Sequence, residues 1–349
     1  MKIALTYNIR HVKPSLVSQQ AQAEAEYDTW ETINGIKKAL EKIGHQVVLV
    51  ECNPHAYENL RKLKNKIGLV FSYCEGIAGA DREAQIPAML ESLQIPYTGS
   101  GPLTSAILLN KARTKELLSF YGLPTPAWNI IYPNELKDYS LSELVSKVLK
   151  NHTSFPLIVK PNSEGSSKGI FNESVVKTKE TLVKMVKRIL TEYNQGTLIE
   201  NYLQGREFTV AMLQEKGRWR VLPIIEVSFD EVPKEMYPID SYEVKWIYDS
   251  PEKEIDPLSC PAGVSHELRK AIEEICIKTC EVLEIRDWCR IDLRLDARGV
   301  PNILDINNPP GLIPDPAENS RYPRAAREAG INFEGILDKI IQSALYRYQ

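Results

Sequence analysis

Arg290-Ile291-Asp292 and Leu304-Asp305-Ile306-Asn307, strand-like runs on either side of a turn marked by Gly299, decide how this chain is read. Paired as neighbouring strands, they turn two carboxylates and an amide to one side, with an arginine two residues ahead of the first carboxylate. Magnesium demands oxygen ligands and usually keeps phosphate oxygens in its shell. Phosphoryl transfer also needs cations clamped on the moving charge. Asp292, Asp305 and Asn307 are therefore the candidate metal ligands, and Arg290 the candidate clamp.

Outward from that hairpin, the next signal is Lys160-Pro161-Asn162-Ser163-Glu164-Gly165-Ser166-Ser167-Lys168-Gly169. A strand ending in lysine opens onto a loop of glycines, hydroxyls and a second lysine. Glycine admits close backbone approach, and successive N–H groups in such a loop form an anion nest. The lysine precedes the glycines, so this is not a Walker A loop, and no G-x-G-x-x-G fingerprint is present. Alone it also suits a solvated turn; beside the carboxylate pair it reads as a phosphate loop. Glu200, Tyr202, Leu203 and Glu207 lie where one strand ends and the next begins, and Lys245 sits in a charged, aromatic stretch.

The chain has 349 residues, more than one ordinary core holds, which predicts two or three domains. Its 43 basic and 46 acidic residues nearly balance, which argues against a general nucleic-acid binder but leaves room for a local basic cleft. No apolar run approaches the roughly 18 residues of a membrane span, and no secretory pattern opens the sequence. The six cysteines show no close CxxC pairing, and Cys276 and Cys280 read as small core side chains. A reduced, cytoplasmic protein is expected.

Alternating strands and helices over residues 1–105 predict a parallel α/β unit: strands at 2–6, 47–50, 67–71 and 95–97, with helices ending near Gly44 and running over 82–93. One helix is expected from Thr104 to Tyr121, others over 141–150, 179–193, 265–284 and 333–345, and antiparallel strands at 206–210 and 221–225. Residues 228–262 read as a long loop, and a proline-rich loop is expected after the hairpin.

In these residues the chain resembles the ATP-grasp ligases and, within them, the D-alanine–D-alanine ligase family. The blocks that carry the likeness span nearly the whole length: Ile95-Pro96-Tyr97-Thr98-Gly99-Ser100-Gly101, Asn110-Lys111, the Lys160 loop, Gly205-Arg206-Glu207, and Cys289 to Asp292 with Asp305 to Asn307. The resemblance implies an ATP-grasp α/β fold, with an N-terminal parallel-sheet domain (1–105) and two α+β lobes (106–198 and 199–349) enclosing a nucleotide. It implies that Lys111, Lys160 and Lys245 hold ATP phosphates, with Ser166 and Ser167 in the loop closing over them. Glu200 would meet the adenine amino group, the Tyr202–Leu203 backbone its ring edge, and Glu207 the ribose. Two Mg²⁺ ions, with Mn²⁺ able to stand in, would bind Asp292, Asp305 and Asn307. Arg290, Ser166 and Gly311 would form the catalytic set. The family's reaction joins an amino-acid carboxylate to an amine through an acylphosphate; a homodimer acting on amino acids or small peptides is expected, without nucleic-acid or membrane partners.

Departures from the family pattern cluster at the amino-acid sites. The first strand ends in Tyr7-Asn8-Ile9-Arg10-His11 without the family's glycines and glutamate, and its histidine-glycine pair is Glu75-Gly76 here. The serine that meets the second D-alanine lines up with Pro316, the second metal carboxylate is the shorter Asp305, and Trp246 replaces an aromatic after Lys245. Glu75, Arg82, Trp246, Arg321 and Arg324 are the candidate substrate residues, an arginine being suited to clamp a carboxylate. These changes predict retained ligase chemistry on altered substrates. The alternatives are a genuine D-alanine–D-alanine ligase, a hydroxyl acceptor giving a depsipeptide, and a silent nucleotide-binding regulator.

Overall fold

The computed structural model describes residues 1–13, 15, 24–151, 154–245 and 256–349. Three sheets organise these residues. The first is parallel, in the order β2-β1-β3, from β1 (Lys2–Tyr7), β2 (Gln46–Glu51) and β3 (Leu69–Ser72). Its central strand is buried on both faces, as parallel strands require. Ile3 and Leu5 pack with Ile33, Ile36 and Leu40 of α1 (Trp30–Lys42). Ala4 on the other face packs with Leu60 of α2 (Ala56–Leu63) and Leu90 of α3 (Gln85–Leu93). The strand expected at 95–97 is reduced to one bridge between Val70 and Tyr97.

The single helix expected from Thr104 to Tyr121 is two: α4 (Pro102–Leu109) and α5 (Lys111–Phe120). Asn110 breaks it with extended backbone, and its side chain accepts a hydrogen bond from the Arg113 N–H, a helix cap that competes with continuation. The break sets Lys111 at a helix start, its N–H donating to the Asn162 carbonyl.

The second sheet is antiparallel, in the order β4-β7-β5-β6, from β4 (Trp128–Ile131), β5 (Leu157–Pro161), β6 (Val175–Val176) and β7 (Thr197–Asn201). Leu144 and Val148 of α6 (Leu141–Leu149) and Met185 and Ile189 of α7 (Lys179–Glu192) cover it. The third sheet has the order β11-β10-β8-β12-β13, with β9 also on β8. Its strands are β8 (Glu207–Glu215), β9 (Arg218–Val221), β10 (Ile225–Val227), β11 (Leu258–Ser259), β12 (Trp288–Leu295) and β13 (Pro301–Asn307). The β8–β9 hairpin went unread in the sequence: Lys216 and Gly217 both take positive φ, the two-residue turn that matches strand twist. The short helix α9 (Arg321–Glu328) also replaces part of the expected proline-rich loop. Pro323 falls in its first turn, where a missing N–H costs nothing. Helices α8 (His266–Val282) and α10 (Phe333–Arg347) complete the chain, Ile340 and Ile341 of α10 joining the core beneath α1. No described helix is long and apolar enough to cross a membrane.

Candidate functional site

Strands β12 and β13 place Asp292 directly opposite Asp305 and Arg290 opposite Asn307. A bulge after Asp292 shifts the register, and Leu304 is left over to enter the site beside Asp305. Arg290 grips Asp292 with two hydrogen bonds of 3.0 and 2.9 Å. Asn307 Nδ2 donates to the same carboxylate at 3.1 Å and the Thr209 hydroxyl at 2.5 Å. Burial would raise the Asp292 pKa, but Arg290, Arg321 and Thr209 hold it well below the usual carboxylate range. Lys111 Nζ reaches both oxygens of Asp305, at 3.0 and 3.1 Å. Burial favours a neutral lysine there, yet the Asp305 charge lifts Lys111 above its ordinary value.

A second group of ion pairs lies behind these. Glu200, 1% exposed, bonds Lys115 at 2.5 Å and Lys160 at 2.6 Å. Its carboxylate, expected at an adenine amino group, is thus taken up by two lysines. Lys115 is a residue the sequence reading missed; burial draws its pKa down to about 8. Glu207 pairs with Arg294 at 3.2 Å, and burial pushes its carboxyl up to about 7. The Arg294 guanidinium also lies 5.3 Å from the centre of the Tyr202 ring.

The serine-rich loop is shaped by backbone conformation. Ser166 and Ser167 take positive φ, and Ser167 Oγ donates to the Asp240 carbonyl at 2.6 Å. At Gly169 a Cβ would come within 2.4 Å of Pro161, so the turn requires glycine. Gly165 N–H donates at 2.6 Å to Glu26, which is held in turn by Arg82 Nη2 at 2.7 and 2.6 Å. Arg82 also donates to the Ser163 carbonyl at 3.1 Å. Glu26, unread in the sequence, therefore ties residues 24–28 to the loop.

These elements enclose two chambers. The first, of about 110 Å³, is lined by Lys111, Lys160, Ser167, Glu200, Tyr202, Leu203, Glu207, Asp292 and Asp305. The second, of about 540 Å³, opens toward Asp28, Glu75, Gly311 and Arg321. Ser166, Lys245, Arg290 and Asn307 line both and form the wall where they meet.

A family model described as the D-ala D-ala ligase C-terminus matches residues 117–342. The chain belongs to the D-alanine–D-alanine ligase family. It is 32% identical over 293 residues to a D-alanine–D-alanine ligase of Desulforamulus reducens, covering 83% of this chain and 85% of that one. It is equally 32% identical over 321 residues to a protein designated y4sG from Sinorhizobium fredii, covering 90% and 88%. The structure of D-alanine–D-alanine ligase from Bacillus anthracis complexed with ATP superposes with a TM-score of 0.71 at 23% identity, over 99% of this chain and 97% of that one. The VanG D-Ala:D-Ser ligase from Enterococcus faecalis gives 0.72 at 19% identity, over 98% and 99%. The fold is accordingly that of the ATP-grasp ligases.

At two of the expected departures the structure brings other residues close. Pro316 does not line the second chamber; Ser320 does. Ser320 precedes α9, accepts a hydrogen bond from the Ile313 N–H at 3.1 Å and donates to the Gly311 carbonyl at 3.3 Å. The glutamate missing from the first strand's end likewise has a neighbour of its kind: Glu26 and Asp28 arrive there from the next segment, Asp28 bridging to Ile9.

The candidate substrate residues separate. Glu75 and Arg321 line the second chamber, Arg321 bonded to Asp240 at 3.0 Å. Arg82 is committed to Glu26 and Ser163 and lines neither chamber. Arg324 likewise lines neither, pairing with Asp256 at 2.6 Å. Trp246 lies outside the described residues.

Among the described residues no three His, Cys, Asp or Glu side chains are grouped to hold a metal. The oxygen set facing the first chamber is two carboxylates and the Asn307 amide, hard donors that fit Mg²⁺ completed by phosphate oxygens.

Proposed function

We propose that the chain is an ATP- and Mg²⁺-dependent carboxylate–amine ligase acting on amino acids or small peptides other than a pair of D-alanines. The observation that carries this reading is the junction of the two chambers at Ser166, Lys245, Arg290 and Asn307. A carboxylate entering from the larger chamber would meet a γ-phosphate held in the smaller one. Its oxygen attacks phosphorus, the bond to the β-phosphate oxygen breaks, and ADP leaves. The substrate amine then attacks the acyl carbon, phosphate departs, and the amine loses a proton.

Both steps build negative charge, so the residues at the junction are cations and donors. Arg290 stabilises the transferring phosphoryl group and the tetrahedral oxyanion, with the Gly311 backbone and Ser166 beside it. Lys111, Lys160 and Lys245 bind phosphates; Tyr202 and Leu203 present backbone to the adenine, and Glu207 takes ribose hydroxyls. Asp292, Asp305 and Asn307 would hold Mg²⁺, or Mn²⁺ in its place, which neutralises phosphate charge when bound. At about 110 Å³ the nucleotide chamber is smaller than the roughly 300–1,000 Å³ of ordinary ligand pockets. Lys111 and Arg290 leaving their aspartates for phosphate oxygens would open it. The lobes 106–198 and 199–349 would close over the nucleotide, and a cytoplasmic homodimer remains part of the proposal.

The test is ADP and phosphate release across amino-acid pairs and short peptides, with mass spectrometry of the products. Ser320 favours a second reading, a genuine D-alanine–D-alanine ligase; D-alanine alone turning over as fast as any other substrate would establish it. Tight ATP binding with no ADP and no amide or ester product from any substrate would reject both readings in favour of a silent regulator.

A further inference from the structure

The larger chamber carries more negative charge than a pair of alanines would use. Of its lining residues, Lys245 and Arg290 belong to the phosphoryl junction, and Arg321 is bonded to Asp240. Glu26 is neutralised by Arg82. Asp28, Glu31, Glu75, Asp315 and Glu318 also line the wall, with Arg10 as the balancing cation. Among the described residues the Glu75 carboxylate accepts no hydrogen bond and joins no ion pair. Asp28, Glu75 and Glu26 also converge on one small cleft at the foot of the chamber, beside Pro309. Burial raises the Asp28 carboxyl to about 6 and, with Glu83 and Glu26 nearby, lifts Glu75 well above its ordinary value. Arg10 and the Tyr73 hydroxyl offset only part of that burial at Asp28, and Arg82 only part of it at Glu75, so a ligand that brings a cation is favoured.

The chamber has room for that ligand. About 540 Å³ lies within the range of pockets that take whole ligands, and an alanine side chain is a single methyl group. Tyr73 fixes the acidic wall relative to the junction: its hydroxyl accepts from the Leu312 N–H at 3.0 Å and donates to Asp28. One tyrosine thus ties the loop after Gly311 to the carboxylate opposite it.

We infer that the larger chamber takes a diamino acid, its carboxylate at the Arg290–Asn307 junction and its side-chain ammonium between Asp28 and Glu75. This rests on the ligase reading and narrows its substrate class. A neutral side chain of equal length would leave Glu75 without an ion pair and Asp28 with only Tyr73 and Arg10, and a charge-assisted contact is worth roughly 10- to 100-fold.

The experiment compares ADP release with lysine and ornithine against their uncharged counterparts norleucine and norvaline, in both enantiomers, with ATP and Mg²⁺. The expected result is kcat/KM at least about tenfold higher for a diamino acid than for its neutral counterpart. In Glu75→Gln and Asp28→Asn, each checked for folding by circular dichroism, that ratio should fall toward one. Neutral amino acids turning over as well as the diamino acids would overturn the inference while leaving the ligase reading intact, as would a ratio unaltered in both variants. No ADP with any amino acid would remove the ligase reading and this inference with it.

Discussion

The two chambers handle charge in opposite ways. In the smaller chamber most cations are held by a carboxylate: Lys111 by Asp305, Lys160 by Glu200, Arg290 by Asp292 and Arg294 by Glu207, with Lys115 sharing Glu200 from behind. In the larger chamber carboxylates outnumber cations, and Asp28 and Glu75 titrate high. A triphosphate and its metal ions bring both signs of charge, so a site for them can hold its own charges in pairs and exchange partners. A small substrate cannot replace so many partners. On the proposed reading, its site keeps an excess of charge opposite to its own.

The widest break in that comparison would come from Glu200→Gln. Removing the shared carboxylate leaves Lys115 and Lys160 buried without it, and breaking a buried pair typically costs about 3–5 kcal/mol. Urea unfolding measures it, and a loss under about 1 kcal/mol would show that the paired network does not support the fold. Next is Arg290→Ala, expected to lower kcat by about 10²–10³-fold while ATP affinity changes far less. Equal losses in both would make Arg290 a binding group only.

Ser320→Ala sharpens the comparison on the other side. If this hydroxyl meets the second substrate, the KM for that substrate rises roughly tenfold and the KM for ATP stays put. A uniform fall in kcat without a KM change would assign Ser320 to shaping the Gly311 loop alone. The smallest expected effect is one of pH. Asp28 titrates at about 6 in the folded chain against an ordinary 3.8. The folded chain therefore holds an extra proton between those values, and this contribution, fully present below 3.8, is lost as pH rises to about 6. Asp28→Asn should remove that slope, so the variant gains stability relative to the parent between pH 4 and 7. Parallel pH profiles from urea midpoints would mean that Asp28 carries no such strain.

The hairpin of β12 and β13 was legible because its logic is local. Residues two apart on a strand share a face, so Arg290 and Asp292 had to align, and the glycine-marked turn brought Asp305 and Asn307 back to meet them. The Lys160 loop was legible for the same reason, since its glycines and serines act through their own backbone. Lys115 was not: nothing in a helix that merely contains a lysine says that the lysine reaches a glutamate far along the chain. The break at Asn110 was hidden by helical residues on both sides, and α9 by its proline. Ser320 was missed because its place on the chamber wall is set by the turn before α9, not by any local pattern.

What the sequence by itself determined is which carboxylates, cations and hydroxyls share the hairpin face and the Lys160 loop, since that depends on strand period and loop composition. What only the tertiary structure decided is the shape and charge of the larger chamber. Residues 26–31, 73–75 and 309–321 converge there from separate parts of the chain. Their meeting is set by the packing of the parallel sheet against the C-terminal core, in which Ile33 and Ile36 share one cluster with Leu312, Ile340 and Ile341. Such contacts arise from burying apolar surface between distant elements, and no short-range pattern encodes which carboxylates that burial brings together.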